Sequence, residues 1–374
     1  MKRVSIIITL FCVLTAATGL FVFYVYQKER QVDFRESTEA GNISAAEGLE
    51  ISVSKYFWHD TMKSFLSMED PKRWNSVLSF GTSGLQAETG LEKWKDFHRT
   101  IQAEEEGKYK TSELCFALRH SPEFGLAMKE NPIVYNVYNG TNAYFTFDLH
   151  QPGVKVDTSE IPGGYGIYWT YFTKSRRDDM PYFGLNEVDI YYQPLDPEIS
   201  VRGLSIDGGI RYILLLLYKS GETYYIRLYN VRGGIPGEQL EEIPLSCGIL
   251  SDRSVITIES EEDFFVVGIR EDDSADAKAY GYVIAENETE KWKIAMEVPD
   301  YKGGTGSEKE DVALAFDGRK LARVSCGQKI RVSVYDATGL QYRGCIETSL
   351  GNFNEEGKDG YSIRQRELEC RWKE

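Results

Sequence analysis

Two kinds of hydrophobic pattern divide the chain. Near the start, an uncharged apolar run extends from Val4 to Tyr26. At about 1.5 Å of rise per residue, a helix of this length can cross a bilayer core of about 30 Å. Beyond it, apolar residues recur first at every third or fourth position and later at every second. The pattern predicts a membrane helix, then a helical segment, then a β-rich remainder.

We interpret the apolar run as an uncleaved single-pass anchor. Residues 1–3 include Lys2 and Arg3 and are expected to stay cytoplasmic, which places the body outside the plasma membrane. The alternative is a cleaved signal peptide, because Ala16 and Ala17 offer small residues for cleavage. The apolar run continues beyond them, which favours the anchor.

Between residues 49 and 108 the spacing predicts three helices. The second begins at Asp70, which is followed by proline, and the third begins with Thr89 and Glu92 at the spacing of a capping box. The apolar stripe of the third helix consists of Leu91, Trp94, Phe97 and Ile101.

Strand-like runs follow the helical segment. They are ELCFALRH, PIVYNVYNG, AYFTFDLH, GYGIYWTYFTK and EVDIYYQP, and they are rich in aromatic and β-branched residues. With the stretch WKDFHRTIQAEEEGKYKTSELCFALRH, this order of elements resembles the cystatin-like and nuclear-transport-factor-like cone domains over residues 50–190. The resemblance implies an α+β fold and no particular activity, because that fold serves enzymes, ligand binders and structural proteins.

The carboxyl-terminal part shows a repeat. Three hairpins begin at Gly209, Asp263 and Arg319, at nearly equal intervals, and each has one strand before it and one after it. Over residues 198–348 these four-stranded units resemble propeller blades, while another antiparallel all-β architecture stays open. A fourth unit between Tyr144 and Gln193 would share residues with the cone domain.

The last residues, ELECRWKE, alternate apolar and charged side chains. Leu368, Cys370 and Trp372 fall on one face of this segment, so we expect the terminus to dock as a strand.

The predicted organisation has five parts. Residues 1–3 form the cytoplasmic end, 4–26 the transmembrane helix and 27–48 a polar juxtamembrane spacer. An α+β domain covers residues 49–197, and an all-β domain of repeated four-stranded units covers 198–374.

The chain has a net charge of −15, and because the first 30 residues are net basic, the body is more acidic than the chain as a whole. Such a body repels phosphate backbones, so nucleic acid is not an expected partner. The four histidines, His59, His98, His120 and His150, lack the spacing of a zinc site. Neither a nucleophile elbow nor a phosphate-binding loop is present, and no cofactor is predicted.

Aromatic and acidic residues between 165 and 182 are the candidates for carbohydrate chemistry. Asp178 and Asp179 would supply the carboxylate pair of a glycosidase. The candidate sugar-stacking residues beside them are Tyr165, Tyr168, Trp169 and Tyr182. The other interpretation of these tyrosines is half-buried strand surface.

A hairpin loop contains weak candidates for calcium ligands, namely Asp272, Asp273 and Asp276. They lack the spacing of a known calcium loop, so a solvated turn is the competing interpretation and no metal is predicted. Cys115, Cys247, Cys326, Cys345 and Cys370 allow at most two disulfides within the body, or none.

The sequence favours a membrane-anchored, extracytoplasmic binding or scaffold protein of the cell envelope without catalysis. Its partners are expected to be the membrane, through residues 4–26, and another envelope protein or a glycan. The alternative is a membrane-tethered hydrolase of a polysaccharide or wall polymer.

Overall fold

The computed structural model of the chain is mainly β and consists of several antiparallel sheets. The structure describes residues 34–57, 72–93, 114–115, 118–119, 124, 134–139, 142–150, 159, 161, 163–177, 180–189, 193–206, 212–232, 235–246, 254–272, 277–289, 291–303, 311–327, 329–348 and 366–373.

Within these ranges the strands form five antiparallel sheets, which we call blades I to V. Blade I contains, from one edge to the other, β21 (Arg366–Trp372), β2 (Leu49–Phe57), β3 (Lys72–Gly81) and β4 (Gly84–Lys93). Blade II contains β5 (Val134–Asn139), β6 (Asn142–Phe147), β7 (Tyr168–Arg177) and β8 (Met180–Asp189). Blade III contains β9 (Ser200–Ile206), β10 (Ile213–Ser220), β11 (Thr223–Arg232) and β12 (Ile235–Pro244).

The last two blades continue the series. Blade IV contains β13 (Val255–Ser260), β14 (Phe264–Arg270), β15 (Ala279–Glu286) and β16 (Trp292–Pro299). Blade V contains β17 (Asp311–Phe316), β18 (Leu321–Cys326), β19 (Ile330–Asp336) and β20 (Gly339–Thr348), with β1 (Phe34–Gly41) as a fifth strand beside β20. A 3-10 helix, Ile43–Ala46, connects β1 to β2.

Blades III, IV and V present apolar side chains on both faces, and each of these faces packs against a neighbouring blade. In blade III, Leu214 and Leu216 contact the core shared with blade II, while Leu215 and Leu217 contact the core shared with blade IV. Two further clusters lie between blades IV and V and between blades V and I. The first strands of neighbouring blades also contact one another, as in β5 with β9, β9 with β13 and β17 with β21. This arrangement resembles a β-propeller.

The repeat predicted from the sequence is confirmed. The hairpins that begin at Gly209, Asp263 and Arg319 supply the two middle strands of blades III, IV and V, and the flanking runs supply the outer two. The carboxyl terminus docks as a strand, with Leu368, Cys370 and Trp372 on its more buried side.

The helices predicted between residues 49 and 108 are wrong wherever the structure describes that segment, which contains β2, β3 and β4 instead. Ser76, Leu78 and Phe80 are buried while Val77 and Ser79 are not, so burial here has the period of two that belongs to a strand. The α+β description and the cone resemblance are therefore not supported. Blade II, which spans Val134–Asp189, takes up the residues of the proposed fourth unit.

The strand predicted for ELCFALRH is also wrong at its four described residues, which are helical. Leu114 and Leu118 are fully buried and lie four positions apart, on the same side of a helical turn. They pack with Phe124 into the core beside blade II.

Part of the predicted spacer is a strand. β1 is exposed at most positions, because it lies at the outer edge of blade V and has a strand on only one side. Its polar composition is therefore that of an edge strand, which a search for apolar periodicity does not detect.

The predicted transmembrane helix at residues 4–26 lies outside the described residues. Within the described ranges, no helix has the length and apolar character required to cross a membrane. Cys115, Cys326, Cys345 and Cys370 are free thiols rather than disulfide partners.

The carboxyl terminus completes the first blade. β21 pairs along its whole length with β2, so residues from both ends of the chain form one sheet. Trp372 anchors it: its indole Nε1 donates a hydrogen bond of 3.2 Å to the carbonyl oxygen of Ala315 in blade V, and the Lys320 Nζ lies 5.5 Å from its ring centroid. On the other side of the strand, Arg371 and Lys373 both form ion pairs with Glu50 of β2 at 2.9 Å.

We predict that Trp372→Ala lowers the free energy of unfolding by about 3 kcal/mol, because the ring fills the contact between blades V and I. Urea unfolding followed by circular dichroism measures this loss. Glu369→Ala on the exposed side of β21 is the matched control and should change stability by less than about 0.5 kcal/mol. Equal losses would show that the indole does not anchor the strand.

We also predict that the Glu50 ion pairs make the pairing of β21 with β2 sensitive to acid. Hydrogen bonds from Lys373 and Arg371 hold the pKa of Glu50 below its ordinary value of 4.5. The stabilisation is thus fully present above that value and is lost as the pH falls through the lower pKa of the folded state. The difference in melting temperature between wild type and Glu50→Gln should be constant above about pH 6 and vanish in stronger acid. A difference that persists in acid would contradict this origin.

Candidate interaction face

The strand order gives the molecule two unequal faces. Because each blade is a meander, the link from one blade to the next and the link between its second and third strands leave from one face. The links between first and second strands and between third and fourth strands leave from the other. We call these the loop face and the turn face.

The two faces differ in the length of their connections. On the loop face the connections are 58–71, 94–133, 148–167, 190–199, 221–222, 245–254, 271–278, 300–310, 327–329 and 349–365. On the turn face they are 42–48, 82–83, 140–141, 178–179, 207–212, 233–234, 261–263, 287–291, 317–320 and 337–338. β1 begins at the loop face, since Phe34 pairs with Thr348 at the end of β20. The connections at the loop face therefore contain more residues than those at the turn face, and β1 also begins at the loop face.

At the loop-face end of blade III, a polar network joins three strands. The Arg227 Nε donates a hydrogen bond of 2.7 Å to the Glu242 carboxylate, and the Tyr218 hydroxyl donates one of 2.9 Å to the same oxygen. Tyr225 stacks on Tyr218 with 5.4 Å between ring centroids. Burial and the hydrogen bond to Glu242 raise the pKa of Tyr218 to about 12, so its hydroxyl stays protonated and keeps donating.

This network is accessible from solvent on one side. The Glu242 side chain is 37% exposed and Arg227 is 18% exposed, while the Tyr218 ring is buried beneath them. Tyrosine and arginine are among the residues that contribute most to binding at protein interfaces, and this network combines both.

Blade IV carries a buried aromatic wedge. Gly268 and Gly281 are cross-strand partners in β14 and β15, and Tyr301 lies over them. A Cβ atom at Gly281 would come within 2.5 Å of the Tyr301 Cβ, so the sheet needs glycine at this position. Asp300 turns the chain toward the wedge with a φ of 57°, a left-handed conformation that a non-glycine residue seldom adopts.

The wedge organises an ion pair between blades IV and V. The Tyr301 hydroxyl donates a hydrogen bond of 2.7 Å to Glu259, and the Arg323 guanidinium binds the same carboxylate with contacts of 2.7 to 3.1 Å. Burial raises the pKa of Tyr301, and Glu259 adds to that effect. Burial alone would lower the pKa of Arg323, but its hydrogen bonds to Glu259 raise it. Arg323 therefore stays charged, and its contacts with Glu259 join the two blades.

A groove of about 310 Å³ opens at the loop-face end of blade IV. Lys278, Tyr280, Glu297 and Asp300 lie among its lining residues. The Ser246 hydroxyl donates a hydrogen bond of 2.9 Å to Glu297, which links the groove wall to the residues that follow β12. The groove carries charges of both signs along an open surface.

The aromatic residues proposed for sugar stacking lie in the core as far as their side chains are described. Tyr165, Tyr168 and Trp169 are 4%, 0% and 3% exposed, and they pack in the cluster between blades II and III. The Tyr165 hydroxyl donates a hydrogen bond of 3.0 Å to the carbonyl oxygen of Phe147. Tyr182 lies in β8, where it pairs with Ser175.

The candidate carboxylates are mostly outside the described ranges. Asp178 and Asp179 fall between β7 and β8 and are not among the described residues, and the same holds for Asp273 and Asp276. Asp272 is exposed after β14. No group of three or more potential metal ligands occurs within the part of the chain that the structure describes.

Sequence reasoning missed both polar networks. Glu259 and Arg323 stand in strand-like runs, SVITIES and LARVS, where single charges in otherwise apolar surroundings were available as a signal. Their pairing across two blades depends on how blades IV and V pack together and could not be predicted from either run. Gly268 and Gly281 stood in strand interiors, a position that often marks a close approach.

No protein-family model matches the chain, and no curated protein matches it. Among solved structures, the chain is similar to the β-propeller domain of Nup133 from Vanderwaltozyma polyspora, at 8% sequence identity and a TM-score of 0.28. The alignment covers 90% of this chain and 99% of that one. Neither value supports an inference about activity or partners, so the description of the fold depends on the strand order and packing given above.

We predict that Glu259→Gln lowers the free energy of unfolding by about 3 kcal/mol, because it leaves the Arg323 charge buried without a counter-charge. Glu347→Gln is the control: it removes the same charge from an exposed pair with Lys329 and should give no measurable change. Denaturant unfolding of both variants tests this. Equal effects would exclude a special role for the buried pair.

Proposed function

We propose that the protein is a membrane-anchored, extracytoplasmic binding protein of the cell envelope that holds a partner protein against its loop face. The single observation that supports this proposal best is the unequal distribution of connections between the two faces. Connecting segments on a rigid scaffold are where binding residues concentrate.

The expected anchor fits the same geometry. If residues 4–26 span the membrane, only residues 27–33 separate the lipid from Phe34 at the loop face. A fully extended segment of that length reaches about 25 Å. The loop face is then held near the bilayer, and the partner is a protein that is itself in or close to the membrane.

The network on blade III supplies candidate contacts for this partner. Tyr225 and Arg227 lie at the loop-face end and retain solvent exposure, and the Glu242 carboxylate fixes the arginine in place. An ordered guanidinium loses little side-chain entropy on binding.

Surface labelling tests the orientation. Ser44 is exposed in the 3-10 helix on the turn face, and its backbone rather than its hydroxyl makes the local hydrogen bonds. We predict that Ser44→Cys in intact cells reacts with a membrane-impermeant maleimide more strongly than the unaltered protein does, because Ser44 is more exposed than the described native thiols. Reaction only after permeabilisation would reverse the orientation.

Site-specific photo-crosslinking tests the binding face. A photoreactive amino acid at Lys278 or Tyr225, on the loop face, should yield a discrete adduct in native membranes. The same amino acid at Thr289 or Thr338, in exposed turns on the opposite face, should yield none. Arg227→Ala should reduce the Lys278 adduct about tenfold, as expected for a central interface arginine. Adducts from the turn face alone would refute the proposal.

A further inference from the structure

The groove at the loop-face end of blade IV has an aromatic floor and an acidic wall. It runs along the ends of β15 and β16 and has a volume of about 310 Å³. Tyr280 pairs with Pro299, and Tyr282 pairs with Glu297, so these side chains point to the same side of the sheet. Tyr282 is buried and Tyr280 is half-buried, whereas Pro299 and Glu297 are exposed. The tyrosines therefore form the floor, and the carboxylate stands beside it.

Two carboxylates at this groove are held in place without a counter-charge. The Ser246 hydroxyl binds one oxygen of Glu297 at 2.9 Å. The backbone N–H of Asp300 donates a hydrogen bond of 3.0 Å to the carbonyl oxygen of Ala279, which fixes the backbone from which the second carboxylate extends. Within the described part of the chain, neither carboxylate forms an ion pair. Groups that are already ordered lose less entropy when they bind a partner.

The basic residue of the groove does not neutralise these carboxylates. Lys278 lies at the rim, is exposed and forms no ion pair among the residues that the structure describes. It stands four positions before Tyr282, the cross-strand partner of Glu297, and four residues of a strand span about 13 Å. The groove therefore offers two carboxylates to a cation from outside.

The neighbouring connections are acidic as well. Residues 271–278 and 300–310, which follow β14 and β16 at the loop face, contain seven carboxylates and three lysines, a net charge of −4. The count includes every charged residue of both segments, so ion pairs within them do not alter it. This end of blade IV therefore attracts cationic groups and repels anionic ones.

We propose that the groove receives a basic side chain, arginine or lysine, of the partner protein that the loop face binds. The inference rests on the proposed function, because it names the chemistry of that partner. The aliphatic part of the side chain packs on Tyr280 and Pro299, and its cationic group pairs with Glu297 and Asp300. A cation beside a tyrosine ring gains a further attraction from the ring face. An acidic segment would place like charges together, which selects against it.

Photo-crosslinking with a competing peptide tests the chemistry. The photoreactive amino acid replaces Lys278 in the full chain in native membranes, which leaves the floor and both carboxylates of the groove intact. An excess of a tetra-arginine peptide should abolish the adduct. A tetra-citrulline peptide, which has nearly the same shape without the charge, should not. Equal competition by both peptides, or competition by neither, would refute the basic contact.

Neutral isosteres identify the carboxylates. Glu297→Gln with Asp300→Asn should reduce the adduct about tenfold, because each change removes one ion pair with the partner. Asparagine tolerates the left-handed φ of 57° at position 300, so the fold is preserved. The matched control, Glu262→Gln with Glu288→Gln, neutralises two exposed carboxylates of blade IV at the turn face and should leave the adduct unchanged. Circular dichroism of each variant confirms folding.

The outcomes separate the two proposals. The absence of an adduct from both Lys278 and Tyr225 refutes the proposed function. An adduct that is equally strong in the groove variant and the control variant, or equally weak in both, refutes the groove contact alone.

Discussion

The structure depends on one constraint, which is that blades III, IV and V are apolar on both sides. A sheet such as blade III, with Leu214 and Leu216 on one face and Leu215 and Leu217 on the other, cannot leave either face in water. Burying one such side chain contributes about 1.5 to 3 kcal/mol, so each of these three blades needs a neighbour on either side. Successive blades meet this need for one another, and β21 lets the last part of the chain complete the first blade.

Polar groups between the blades are paired with one another, so they support this packing. Glu259 and Arg323 neutralise each other between blades IV and V, and the Tyr301 hydroxyl occupies a further lone pair of the carboxylate. Such a pair contributes less to stability than well-packed apolar residues would, and its contacts form only when the two blades are correctly aligned. The apolar layers hold the blades together, and the ion pair helps to align blade IV with blade V.

The sequence predicted the second half of the fold better than the first, for a physical reason. Blades III to V consist of adjacent strands joined by short links, so each unit is visible within one stretch of sequence. Blade I takes its first strand from residues 366–372, and no local pattern near β2 indicates that partner. In β3, Trp74 and Val77 fall at helical spacing, although the strand buries Ser76 and Leu78. The candidate contacts at Tyr225 and Arg227 could not be predicted for the same reason, because the network depends on Glu242 of the neighbouring strand.

The pairing of β1 and β2 with strands that lie far away in the sequence has a consequence for synthesis. β1 is synthesised before every other described strand, yet among these strands it pairs with β20, and the Ser37 hydroxyl donates a hydrogen bond to a carbonyl 308 positions later in the sequence. A nascent chain therefore carries an unpaired β1 until β20 has left the ribosome, and blade I lacks its first strand until β21 follows. Contacts at such separation are slow to form and expose strands to aggregation in the meantime.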